Sequence, residues 1–353
     1  MAGGVGNDVY YAGEDGDRVF ENDGEGEDIV VLTASWRLTE GAHVETMSAD
    51  AYAGNITLTG NDLGQSLYGN GGDNVLIGNG GSDYLVGGAG NDRYYVDTSD
   101  YIGEAVGGGD DTIFVATSYA LLDGNEIETL VAVNQESTDR VDFSGNEFGQ
   151  SLYGSAGDNN LFGNGGDDYL VGLGGNDFLN GGTGNDNLNG GLGDDRYYVD
   201  AGDKIFEGSG EGDDLAVAVE SFALNAGAHL ETLTAAEGTA AINLTGNEVA
   251  QSIYGNAGAN VLNGGGGNDY LVGGAGNDRF VFTGLPGNDT IADFASGSDK
   301  IDLSAFGITM TDVSASTTNG TTTLAIDTNH DGASDFTITL VSANAPVASD
   351  YLF

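Results

Sequence analysis

Aspartates spaced nine residues apart, each preceded by glycines, are the residues of this chain best suited to chemistry. From Gly163 the sequence reads GNGGDDYLV, GLGGNDFLN, GGTGNDNLN and GGLGDDRYY, with Asp168, Asp177, Asp186 and Asp195 at the sixth position of each nonapeptide. The same frame places Asp83 and Asp92 in an earlier tract and Asp269 and Asp278 in a later one, and Asp8 closes a similar turn from Gly3. Carboxylates are hard oxygen ligands of the kind calcium prefers, and calcium takes about six to eight of them. One turn supplies too few. Two turns stacked on the same side of a winding chain can share an ion, and turns on alternate sides make every second nonapeptide a partner. Asp168 is expected opposite Asp186, and Asp177 opposite Asp195.

The glycines of these turns are expected to adopt positive φ and direct their carbonyls inward as further ligands. They are Gly78, Gly80, Gly87 and Gly90 in the first tract, and Gly264, Gly266, Gly273 and Gly276 in the third. The second tract contributes Gly163, Gly165, Gly172, Gly174, Gly181, Gly184, Gly190 and Gly193. Each tract begins with degenerate copies whose sixth residue is neutral: Gln65 and Asn74, Gln150 and Asn159, Gln251 and Asn260. These lack the attractive charge, so weak or absent sites are expected there, with hydrogen bonds across turns taking over. Asp111 and Asp214, like Asp28, end Gly-x-Gly-x-Asp runs between the tracts, and Asp111 and Asp214 are counted as ligands.

The turns must be positioned by short strands. Six residues make the turn and three the strand, whose apolar eighth residue (Leu170, Leu179, Leu188) points into a thin core. A longer repeat encloses the nonapeptides. Asp8 and Asp92 lie 84 residues apart and Asp195 and Asp278 lie 83 apart, but Asp92 and Asp195 lie 103 apart. The excess falls between Gln150 and Asp195 and equals two nonapeptides, one whole coil of two strands and two turns. Trp36, Tyr119 and Phe222 align between the tracts, as do Glu45-Thr46, Glu128-Thr129 and Glu231-Thr232. These segments read as further strands of the same winding with less regular turns. The chain is therefore expected to be an all-β parallel solenoid of nonapeptide repeats. Its modules are 1–92, 93–195 (with two extra nonapeptides) and 196–283, followed by a C-terminal β cap over 284–353.

Composition bounds the function. The 353 residues include 63 Gly and 2 Pro, without the triplet period of collagen. With 8 basic against 56 acidic residues the formal charge is -48, which excludes nucleic-acid binding and requires structural counter-cations if the chain is to fold. There is no Cys, so neither disulfides nor thiolate metal sites are available. No apolar run is long enough for a membrane-spanning helix, and Met1 to Val5 have neither the basic nor the apolar region of a Sec-type signal.

The Gly273-Gly274-Ala275-Gly276-Asn277-Asp278 turn and its relatives resemble the Gly-Gly-x-Gly-x-Asp-x-apolar-x nonapeptides of the repeats-in-toxin (RTX) family. The resemblance covers most of the chain. It implies a right-handed parallel β-roll with multiple Ca2+ ions in its turns, and export from a bacterium by a type I secretion apparatus. The long unit, with its Glu-Thr-Leu and Leu-Thr-Gly-Asn steps, resembles the extended repeats of large RTX surface proteins. Asp293-Phe294 with the run Asp299 to Ser304 resembles the closing segment of serralysin-type regions, and Asp350-Tyr351-Leu352-Phe353 resembles an RTX export signal.

In the cap, Asp289 and Asp299 stand in turn-like positions and are counted as ligands. Asp327, Asn329, Asp331 and Asp335 follow the alternate-oxygen spacing of a calcium loop, with Gly332 for the sharp turn. Ile338 stands where an EF-hand needs Glu, so the segment reads as either a calcium-bound β-hairpin loop or a plain acidic hairpin turn. No zinc-binding His-Glu-x-x-His and no nucleophile elbow is present, and the periodic carboxylates read as ligands rather than acid–base pairs, so no enzyme is expected. Arg93, Arg196 and Arg279, each after a turn aspartate, read as charge compensation. Two functions remain. One is a secreted structural or adhesive protein of a surface layer, filament or matrix, self-associating and folding on calcium outside the cell. The other is the calcium-dependent folding and secretion module of a larger enzyme or toxin, which the start of Met1 inside a repeat would suit.

Overall fold

The computed structural model describes residues 1–13, 16–341 and 346–353. They form two compact units, Met1–Leu173 and Gly174–Phe353. Residues 342–345 of the expected cap lie outside the described residues. Both units are parallel β-solenoids, and among the described residues the helical segments are three short 3-10 turns.

In the first unit the chain alternates between facing sheets. Ile29–Leu32, Thr46–Ala49, Ser66–Tyr68, Tyr84–Val86 and Tyr101–Ile102 follow one another in one sheet. Trp36–Arg37, Thr57–Thr59, Val75–Ile77, Arg93–Val96, Thr112–Val115, Thr129–Ala132 and Ser151–Tyr153 follow one another in the other. In the second unit Arg196–Val199, Leu215–Ala218, Thr232–Ala235, Ser252–Tyr254, Tyr270–Val272 and Asn288–Ile291 form one sheet. Phe222–Ala223, Leu244–Thr245, Val261–Asn263, Arg279–Val281 and Lys300–Asp302 form its counterpart.

The nonapeptide explains the winding. The strands of the tracts present the eighth residue inward, because successive side chains point to opposite faces, and the strands that end the first two tracts add Val96 and Val199. Leu67, Leu76, Leu85, Leu170, Leu179, Leu188, Leu262, Leu271 and Phe280 are fully buried. Parallel register stacks these residues in ladders: Met47 on Leu67 on Leu85, and Leu58 on Leu76 on Tyr94. Ile253 on Leu271 on Ile291 repeats the arrangement in the second unit. A coil in the tracts is 18 residues, as in the bond from Gln65 to Asp83. Between the tracts the winding continues with coils from 17 residues (Asp28 to Glu45) to 24 (Ser118 to Asp142).

The C-terminal end closes the second unit. Phe336–Leu340 pairs in parallel with Asn288–Ile291, then antiparallel with Thr321–Ile326, which pairs antiparallel with Val313–Thr318. This change of direction ends the parallel ladder, and Phe336 packs against Phe282 and Phe306 with ring centroids 6.4 and 5.3 Å away. Tyr351–Leu352 adds the last strand beside Lys300–Asp302. Asp350 anchors it, accepting from Ser296 Oγ at 2.6 Å and from the N–H groups of Gly297 and Val347.

With one inward residue per strand, the ladder has little capacity to close over a void. Leu271→Ala should cost about 2–5 kcal/mol, read as a fall in the denaturation midpoint at saturating calcium. A loss below about 1 kcal/mol would show that the ladder does not carry the packing.

Candidate metal centre

The two oxygens of a turn aspartate face different surroundings. Oδ1 accepts a backbone N–H from the preceding coil on the same side: Gln65 to Asp83 at 2.6 Å, Asn74 to Asp92 at 2.6 Å, Gln150 to Asp168 at 2.7 Å. Asp177 to Asp195 is 2.6 Å, and Gln251 to Asp269 and Asn260 to Asp278 are 2.8 Å. The irregular coils continue this series. Asp28 accepts from Asp8, Asp111 from Asp92, Asp214 from Asp195, Asp289 from Asp269 and Asp299 from Asp278. The expected neighbours Asp177 and Asp195 are thus joined directly; Asp168 and Asp186 are each buried in their turns.

Oδ2 points the other way, into the aspartate's own turn. In Asp8, Asp83, Asp92, Asp111, Asp195, Asp214, Asp269 and Asp278 it is buried without a hydrogen-bond partner. A charged oxygen left so would cost several kcal/mol. Burial, the largest cause, pushes Asp83, Asp92, Asp111 and Asp289 up to about 7 and Asp195 up to about 8. Asp214, Asp269 and Asp278 rise to about 6 for the same reason. Protein cations sit elsewhere: Arg140 pairs with Asp142, Arg279 with Asp302 and Lys300 with Asp350, while Arg196 lies over the Tyr198 ring. Inward, unpartnered, all-oxygen donors fit calcium.

The glycines divide by position, and the expectation of positive φ at the first position needs correction. The second and fourth residues of an aspartate turn take left-handed φ, as at Gly184 (148°) and Gly193 (127°), and even Leu173 does so (81°). Gly90 and Gly276 share this role. The first residue has no positive φ; it is glycine for space. A Cβ on Gly78 or Gly273 would lie 2.5 Å from the Oδ2 of Asp83 or Asp278, and Gly87, Gly181, Gly190 and Gly264 face their own aspartates likewise. First-position carbonyl oxygens lie beside the first-position glycine of the preceding coil: a Cβ on Gly145 would meet the Gly163 oxygen at 2.6 Å, and one on Gly154 would meet that of Gly172 at 3.1 Å. Third-position Gly80, Gly165, Gly174 and Gly266 have no positive φ.

The neutral turns form a second class. Their second residue is Asn61, Asn70, Asn146, Ser155, Asn247 or Asn256, and its side-chain oxygen accepts the N–H two residues on. The sixth-position amide replaces the carboxylate: Gln65 Oε1 accepts from Asn61 N–H at 3.0 Å, and Gln65 Nε2 donates to Asn61 Oδ1 at 2.8 Å. As expected, side-chain bonds also run across turns, beside those within each turn: Asn61 Nδ2 donates to Ala42 O at 2.9 Å, Asn146 Nδ2 to Asn125 O at 2.7 Å and Asn247 Nδ2 to Ala228 O at 2.8 Å. Asn260 Nδ2 also reaches across, to Ile242 O at 2.7 Å.

In the cap, Asp299 has both oxygens engaged, by Asp278 N–H and Ala295 N–H. The 327–335 segment joins two antiparallel strands. Its acceptors are largely used within the loop: Asp327 from Gly332 N–H, Asn329 from Asp331 N–H, Asp331 from Ala333 N–H, and Asp335 from Thr328 and Asn329. Asp327 Oδ1 alone is buried there without a partner.

Three residues outside the nonapeptide frame were not anticipated. Glu21, Glu104 and Glu207 are buried beside turn aspartates. The available signal was their recurrence seven residues before Asp28, Asp111 and Asp214. Glu45, Glu128 and Glu231, aligned in the sequence, cap Asp28, Asp111 and Asp214 N–H groups as a turn aspartate would.

The model of the RTX calcium-binding nonapeptide repeat matches residues 1–19, 59–96, 144–179, 171–203 and 245–280. No curated protein matches the chain. Among solved structures, the crystal structure of the extracellular lipase LipA from Serratia marcescens matches with 15% identity over 69% of this chain and a TM-score of 0.27. The match covers 45% of that structure's chain, so this chain spans less than half its length.

The raised carboxylates define a pH response. Unfolded aspartates titrate near about 4; folded ones at about 6 to 8 hold protons that the unfolded chain has released. Between these values the folded state binds more protons, so stability without calcium falls as pH rises. The chelated protein should keep or regain more β signal in circular dichroism at pH 5 than at pH 8. Greater stability at pH 8 would overturn the assignment of buried, unpaired carboxylates.

Proposed function

We propose that this protein, an RTX calcium-binding repeat protein, is a secreted structural or adhesive component that folds when it meets calcium outside the cell. Calcium binding and the solenoid are properties of its repeats; secretion is typical of proteins that carry them. The observation that supports a folding role is the set of buried Oδ2 oxygens with no protein partner. In a calcium-poor cytosol those carboxylates, within a chain of charge -48, oppose compaction. Ions that bind only the folded state reverse the balance, each contributing about 2.7 kcal/mol at a hundredfold excess over its dissociation constant.

Supporting a structural rather than catalytic role, turn carboxylates recur from Asp8 to Asp168 in the first unit and from Asp177 to Asp299 in the second. In this reading the chain leaves the cell unfolded through a type I apparatus. Asp350 to Phe353 serve that export before being drawn into the last strand. Solenoid units then associate into a layer or filament, or attach to a surface.

Far-ultraviolet circular dichroism with calcium and with excess chelator tests the folding role. The β signal should be lost on chelation and restored by calcium; an unchanged spectrum overturns the proposal. Asp177→Ala with Asp186→Ala should raise the calcium midpoint several-fold, and no change would remove these two residues from the ligand set. Electron microscopy in calcium should show ordered polymers. A monodisperse monomer would count against assembly.

A further inference from the structure

Glu21, Glu104 and Glu207 belong to no nonapeptide, and each recurs once per long module. Glu207 is 4% exposed, between Asp195 at 2% and Asp214 at 1%. Carboxylate oxygens of these three residues lie within 4.8 Å of one another, and those of Asp8, Glu21 and Asp28 do the same. Asp92, Glu104 and Asp111 repeat the residue types and are buried alike.

One oxygen of each glutamate is already engaged. Glu104 Oε1 accepts from Gly87 N–H at 2.8 Å and from the Tyr94 hydroxyl. Glu207 Oε1 accepts from the Tyr197 hydroxyl, and Glu21 Oε1 from Gly3 N–H at 3.0 Å. These bonds turn the other oxygen inward. Oε2 of Glu21, Glu104 and Glu207 has no hydrogen-bond partner, nor has Oδ2 of the two aspartates beside each. Three buried carboxylate oxygens this close repel strongly unless a cation lies among them. Two oxygens on one calcium, each at about 2.4 Å, stand at most about 4.8 Å apart, and the oxygens of Asp195, Glu207 and Asp214 and of Asp8, Glu21 and Asp28 lie within that limit.

We propose that each long module carries a calcium site completed by a glutamate from outside the nonapeptide frame, formed by Asp195, Glu207 and Asp214 and by the corresponding residues of the other two modules. The donor set is all oxygen and triply acidic, which favours a hard divalent cation. Magnesium, which keeps several waters, suits so closely gathered a carboxylate set less well than calcium. Tyr94 and Tyr197 are positioning residues that hold the glutamate. Each site lies where the turn aspartates pass into an irregular coil, so the glutamate supplies an oxygen where the repeat ends. The inference rests on the reading of the turns as calcium sites and adds a ligand type and location to it.

The test is calcium stoichiometry of the full chain by equilibrium dialysis and elemental analysis. Glu207→Gln should bind one equivalent fewer than wild type, and Glu21→Gln/Glu104→Gln/Glu207→Gln three fewer, with the calcium-loaded circular dichroism retained. Folded variants with unchanged stoichiometry would overturn the proposal, leaving the glutamates as hydrogen-bonded caps. If a variant does not fold, anomalous scattering from wild-type crystals grown in calcium decides. A peak among Asp195, Glu207 and Asp214 supports the site, and its absence beside occupied turns overturns it. A wild type that binds no calcium at all would overturn the function proposed above as well.

Discussion

A buried carboxylate oxygen that faces no proton donor is the constraint on which this structure depends. Asp83, Asp92, Asp195, Asp269 and Asp278 each accept a backbone N–H of the preceding coil on one oxygen and leave the other inside the turn. The first oxygen sets the distance between coils. The second makes that arrangement unfavourable without a cation, since desolvation penalises its charge and the basic residues lie elsewhere. Register and ion demand therefore reside in one side chain, and a chain with this pattern cannot stack its coils without raising the need for calcium.

The apolar side of the solenoid is correspondingly slight. Three-residue strands contribute one inward side chain each, and the ladders are built mainly from Leu. A core of that thickness is a modest source of stability for a long chain, because ordering each residue costs about 1–2 kcal/mol. Ions at the turns and the short ladder between them are complementary: the turns hold the coils in register, and the ladder keeps water from the strands. The antiparallel strands at the C-terminal end complete the second unit by covering its last coil with Phe282, Phe306 and Phe336.

The two turn classes show how a repeat protein grades its dependence on the ion. Replacing Asp by Gln or Asn at the sixth position, together with Asn or Ser at the second, converts an ion-demanding turn into one whose side chains are satisfied by hydrogen bonds within the turn and to the preceding coil. Neutral turns precede the aspartate turns in each tract, and their backbone N–H groups are capped by the following aspartates. Such an order lets a neutral coil supply a preformed edge for the first charged one.

Much of this was legible in the residues. The ninefold spacing of Asp and Leu dictates turn, strand and inward face, because only a chain that reverses every nine residues buries Leu67, Leu76 and Leu85 together. Oxygen-only chemistry follows from the carboxylates and the lack of Cys. Tertiary structure decided what spacing does not encode. First-position glycines serve as room for a carboxylate oxygen from the same turn, a steric demand visible only once Asp83 Oδ2 is placed over Gly78. Neutral turns bond both within themselves, because the side chain at the second position lies within reach of the sixth, and to the preceding coil. And Glu21 and Glu207 join the aspartates only because irregular coils return them to the same place in space, a closeness that no ninefold reading contains.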